Sequence, residues 1–106
     1  MTIPLDIPIA CELTETEAAQ REPLLAQLLG QTEDTRELAD GYALAFPNTD
    51  DAARQLLAFI LLERRCCPFL QLEMVFPPGG AALWFNIRGS EEVKQYVKAD
   101  LLSTPE

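Results

Sequence analysis

Residues 48–69 read NTDDAARQLLAFILLERRCCPF, a helix whose two ends are both marked in the sequence. Asn48 or Thr49 supplies the cap, and Asp50 and Asp51 meet the positive end of the helix dipole. Pro68 disfavours helical geometry at Cys67, so the helix stops there and spans 49–67. On both sides the apolar period changes from 3.6 to 2. Upstream, Tyr42, Leu44 and Phe46 share one face, with Ala43 and Ala45 on the other. Asp40-Gly41 is a two-residue turn signal between Thr35–Leu38 and Tyr42–Phe46, which predicts a hairpin over 33–46. Downstream, Leu70, Leu72, Met74 and Phe76 alternate against Leu83, Phe85 and Ile87. The loop Pro77-Pro78-Gly79-Gly80 joins them into a second hairpin over 69–88.

The flanks complete the order. Thr14 and Glu17 form a capping box before Leu24, Leu25, Leu28 and Leu29, which predicts a first helix over 14–30. Pro23 should kink or restart it, and Gly30 should end it in a left-handed cap. Ser90 caps a third helix over 90–102, with Glu91 and Glu92 in its first turn and Val93, Tyr96, Val97 and Leu101 as its stripe. Residues 1–13 alternate as extended chain, but Pro4 and Pro8 restrict them to an edge strand or a docked arm, with Cys11 on the apolar parity. The reading is one α+β domain over 1–106, arm-α-ββα-ββα, with a four-stranded antiparallel sheet and its helices on one face.

Composition excludes several functions. A net charge of −9, with no basic run beyond Arg64-Arg65, repels nucleic acid and anionic membranes. No apolar run approaches the roughly 20 residues of a membrane span, and the first residues lack the pattern of a signal peptide, so the expected location is the cytoplasm. Three cysteines, an odd number, argue for free thiols rather than a disulfide framework. The absence of histidine removes the commonest general base and the Cys-His nucleophile pair, so an enzyme with its own catalytic centre ranks last among the readings. Trp84, on the strand parity opposite Leu83, Phe85 and Ile87, marks either an exposed binding face or a second packed layer. The open face of the sheet offers a surface for a second copy of the chain.

Helix 2 carries one anomaly. At about 100° per residue, Ile60, Glu63 and Cys67 fall within about 40° of Leu56, so a carboxylate lies on the face meant for burial. Glu63, Cys66 and Cys67 stand at i, i+3 and i+4 and can converge on one point. Two thiols and a carboxylate suit a soft, thiophilic ion, with Cys11 as a third sulfur if the arm packs beside this helix end. Another reading needs no ligand: cysteines pack as small hydrophobes, and Glu63 pairs with Arg21. A Cys66–Cys67 disulfide would be strained, and a helix C-terminus disfavours a reactive thiolate.

The segment Glu63-Arg64-Arg65-Cys66-Cys67-Pro68-Phe69 resembles an E-R-x-C-C-P-F signature carried by a group of small, uncharacterised bacterial proteins. The likeness extends to Cys11-Glu12-Leu13-Thr14, Arg21, Gly41-Tyr42 and the Gly79-Gly80 hairpin, with Pro23 as a departure. It implies no activity of its own. Some such proteins are encoded near heavy-metal resistance functions, an association rather than a mechanism, and the resemblance places Cys11, Glu63, Cys66 and Cys67 in one pattern with Arg21. The functional expectation is a cytosolic sensor, buffer or carrier for a soft metal or metalloid ion. Its alternative is a protein–protein accessory module with structural cysteines.

Overall fold

The computed structural model describes residues 13–99. Its elements are α1 (Glu15–Gln31), β1 (Asp34–Leu38), β2 (Gly41–Phe46), α2 (Asp50–Cys66), β3 (Gln71–Val75), β4 (Leu83–Arg88) and α3 (Glu91–Val97). The strands form one antiparallel sheet in the order β1-β2-β4-β3. The second strand of each hairpin is therefore central, and α2 crosses from one hairpin to the other. This is the α+β architecture read from the sequence; the arm over 1–13 and Leu101 lie wholly or mostly outside the described residues.

Each helix starts where its side chains can satisfy the free N–H groups of the first turn. Thr14 and Glu17 form the reciprocal capping box on α1, Thr49 accepts from Ala52 N on α2, and Ser90 accepts from Val93 N on α3. The core lies between the helices and one sheet face. Tyr42, Leu44 and Phe46 of β2 and Leu83, Phe85 and Ile87 of β4 pack with Leu28, Leu56, Phe59, Val93 and Val97. Phe59 and Phe85 meet edge to face with ring centroids 6.2 Å apart, joining α2 to the middle of the sheet. Lys94 ties α3 back to β1 through Glu37 at 2.7 Å.

The opposite face is largely polar. Arg36 lies over Trp84, 4.7 Å from the ring centroid, and Arg88 bridges Glu73 and Asp40 at 2.9 and 2.7 Å. Ala43 and Ala45 are nevertheless buried, because their neighbours across the ladder are the longer Arg36, Asn86 and Trp84. Trp84 is thus half-buried beneath a guanidinium rather than presented as an open platform.

Local expectations shift in four places. α1 runs unbroken through Pro23, which removes a single backbone donor from a helix that is capped and packed along α2. It also runs past Gly30 to a cap at Thr32 in extended geometry, whose own N–H reaches Leu29 O, so no left-handed residue is required. Phe76 is 58% exposed, because the β3 ladder ends at Val75↔Trp84 and Pro77 cannot donate to it. The first hairpin turn falls one residue early: Leu38 pairs with Gly41, leaving Ala39 and Asp40 as the loop.

Gly41 therefore serves a different need from turn freedom. A Cβ there would sit 1.8 Å from Ile87 O and 2.9 Å from Arg88 Cα, both backbone atoms of the neighbouring strand. The glycine permits β2 and β4 to close at the end where Gly89 N donates to Asp40 O. Gly41→Ala is expected to cost roughly 1–3 kcal/mol through forced strand separation. A fall in the urea midpoint at constant slope would register it; an unchanged midpoint would contradict the close approach.

Candidate metal and thiol site

The site forms where the C-terminal turn of α2 meets α1 and α3. The 17-residue α2 buries Ala52, Leu56, Phe59, Glu63 and Cys66 along one face. Glu63 is 0% exposed. The helix ends as Cys67 N donates to Glu63 O at 2.6 Å, and Cys67 O accepts from Leu70 N as the chain turns at Pro68. That turn folds Cys67 back into the interior, 1% exposed, and buries Phe69 beside it.

Three groups surround this turn. From α1, Arg21 donates to Glu63 Oε2 from Nη2 at 2.8 Å and from Nε at 3.3 Å. Its guanidinium also lies 5.5 Å from the Phe59 ring centre. From α3, the Tyr96 hydroxyl is 3.9 Å from Cys67 Sγ, and the Tyr96 ring stands edge to face with Phe69 at 5.4 Å. On the outside, Arg65 bonds the Glu17 carboxylate, so the glutamate of the α1 capping box also ties the two helices together. The Glu17 carboxyl is held below its ordinary range, chiefly by the hydrogen bond from the Thr14 backbone N–H, with help from Arg65.

The expected convergence at i, i+3 and i+4 is present. A Glu63 oxygen, Cys66 Sγ and Cys67 Sγ all lie within 4.8 Å of one another, and all three residues are buried. The carboxylate is only half satisfied: Oε2 takes both bonds from Arg21, while Oε1, fully enclosed, has no hydrogen-bond partner. A buried oxygen in that state is costly and calls for a physical reason. Cys11, the other sulfur of the sequence-derived set, lies outside the described residues.

The expectation of uniformly free thiols needs correction. Cys66 is disulfide-bonded, and Cys67 is a free thiol. The two do not bond each other, consistent with the short span between adjacent α-carbons. The Cys67 thiol is pushed up from 9.0 to about 12, first by burial and then by the adjoining Glu63 carboxylate, against weaker help to the thiolate from Tyr96 and Arg21. Cys67 is therefore protonated at neutral pH and is a poor nucleophile without an electrophile strong enough to displace its proton.

This shift has a definite sign in the stability of the fold. The native state keeps the proton to a higher pH than the unfolded chain, so the contribution is intact below about pH 9. It is lost as pH rises toward the folded value of about 12. Thermal melts from pH 8 to 11 should show wild type losing more stability than Cys67→Ala over the same span. Parallel loss in both proteins would contradict a buried, neutral Cys67.

Tyr96 and the Glu17–Arg65 link are the parts of the site that sequence spacing does not disclose. Tyr96 is legible only as an apolar position on α3, and its hydroxyl acquires a role once the ends of α2 and α3 meet. The chain matches no family model, no curated protein and no solved structure.

Proposed function

We propose that the reduced protein binds a soft metal or metalloid ion in the cytoplasm, as a sensor, buffer or carrier. Cys66, Cys67 and Glu63 are the ligands, and Cys11 is a further sulfur donor. The carrying observation is the buried Glu63–Cys66–Cys67 cluster within 4.8 Å, with Glu63 Oε1 enclosed and unpartnered. Sulfur donors select thiophilic ions over magnesium or calcium, which take oxygen ligands. Two or three sulfurs and one carboxylate suit Hg(II) or trivalent arsenic better than structural zinc, which usually takes four protein ligands. The E-R-x-C-C-P-F resemblance is consistent with this choice.

A second reading has its own observations. Arg21 already neutralises Glu63 through Oε2, and Leu57 and Leu61 stand exposed one turn apart on α2, as they would on an accessory module that docks a partner. Native mass spectrometry of reduced protein with Hg(II), arsenite or Zn(II), beside Cys66→Ser/Cys67→Ser, separates the two. Ion retention lost in the double variant supports the ion site. Equal retention in both proteins, or none in either, leaves the docking module as the better account.

A further inference from the structure

The cluster contains two cysteines in different oxidation states. Cys67 is a free thiol and Cys66 is held in a disulfide, yet their sulfurs lie within 4.8 Å of each other and of a Glu63 oxygen. A sulfur already bonded to sulfur cannot become a thiolate, and the thiolate is what ligates a metal. While the bond stands, the described part of the site offers one sulfur and one carboxylate. With the bond reduced, it offers two sulfurs on adjacent residues and the same carboxylate.

We infer that the ion site is redox-gated: the Cys66 disulfide closes it, and reduction of that bond by a dithiol opens it. This inference rests on the ion-binding reading and adds a condition to it. The opening step is ordinary thiol–disulfide exchange. A thiolate of the dithiol attacks the disulfide, a mixed disulfide forms, and the second thiol of the reductant closes its own ring and leaves. Two electrons and two protons pass from the reductant to the protein, which gains the Cys66 thiol and the thiol of its former bonding partner. A divalent soft ion then binds Cys66 and Cys67 with loss of two protons.

The gate acts on Cys66 because its sulfur is the bonded one, while that of Cys67 is free. Cys66 and Cys67 are 5% and 1% exposed, and the Glu63 carboxylate beside them has an oxygen with no other partner. With the bond in place, an ion at Cys67 would have the Glu63 carboxylate but no second sulfur. A second sulfur made available in the same molecule typically raises retention by about 100-fold or more. In a reducing compartment a disulfide, where one forms, is usually transient or redox-sensing, in keeping with a bond that is made and broken.

Phenylarsine oxide is a suitable probe because it takes two thiols at once. Two S–H bonds break, two As–S bonds form, and its oxygen leaves with the two protons as water. Intact-mass spectrometry would follow the adduct on air-oxidised protein, on dithiothreitol-reduced protein freed of reductant, and on the reduced Cys66→Ser/Cys67→Ser variant. Iodoacetamide counting would confirm the oxidation state of each sample. Reduced wild type should carry one arsenical per chain, and the oxidised protein none that survives desalting. Reduced Cys66→Ser/Cys67→Ser, left with a single cysteine, should retain at least tenfold less than reduced wild type. Equal uptake by oxidised and reduced wild type would overturn the gate while leaving the ion site intact. No uptake by either form would remove the dithiol site and the gate together.

Discussion

Replacing Glu63 by alanine is expected to cost roughly 3–5 kcal/mol, because it leaves the Arg21 guanidinium buried without the carboxylate that offsets it. Against the 5–15 kcal/mol that holds a typical domain together, this is a large fraction. The melting temperature should drop by roughly 10 °C or more. The size follows from the enclosure on both sides: the two side chains are 9% and 1% exposed, so water cannot replace the lost partner. Exposed pairs such as Arg54–Asp51, at 74% and 90%, should by comparison give less than about 1 kcal/mol. The control is Arg21→Met/Glu63→Met. Removing both charges in favour of apolar bulk should bring stability to within about 1–2 kcal/mol of wild type or above it. If Glu63→Ala melts with wild type, the pair does not organise this end of the fold.

Soft-ion binding should show the other large effect. Reduced wild type is expected to hold Hg(II) or arsenite more tightly than Zn(II), and Cys66→Ser/Cys67→Ser should lose at least about 100-fold in Hg(II) retention, the scale of a lost chelate. The direction follows from the donors. A cation must displace the proton of a thiol pushed up to about 12, and the softest ions form the strongest bonds to sulfur. Zinc must displace the same proton for a weaker bond. Cys66→Ser should also be assayed for folding by its melting curve, so that loss of binding is read on folded protein. Tighter binding of Zn(II) than of Hg(II) would point away from a thiolate site.

The parts of this protein that are legible in its sequence are those fixed by local periodicity. Helix α2 has its limits set by Thr49 and Pro68, and Glu63 falls seven residues after Leu56, so its burial follows from helical geometry and the need for a cationic partner from the cost of an unpaired buried charge. The two hairpins follow from period-2 alternation, and their joining into one antiparallel sheet follows from the helix between them. What escapes the sequence depends on long-range approach. Gly41 resembles a turn glycine until β4 is seen to pass within contact of its α-carbon. Phe76 continues the alternation of β3 on paper, but pairing ends one residue earlier and leaves it in solvent. Pro23 signals a break that the packing of α1 on α2 overrides.

The site divides along the same line. The convergence of Glu63, Cys66 and Cys67 is written in their i, i+3, i+4 spacing. The oxidation state of Cys66 is not, because an odd cysteine count is compatible with one bond and one free thiol. The Tyr96 hydroxyl beside Cys67 depends on where α3 comes to rest, which no local pattern specifies.

Mercury L3-edge X-ray absorption on the reduced, one-to-one Hg(II) complex tests the ion site most directly, since it counts the sulfur neighbours of the ion. At least two sulfurs are expected in the first shell of wild type, with at least one lost in Cys66→Ser/Cys67→Ser. A first shell with a single sulfur, or a spectrum unchanged by the double substitution, would contradict an ion held at the end of α2.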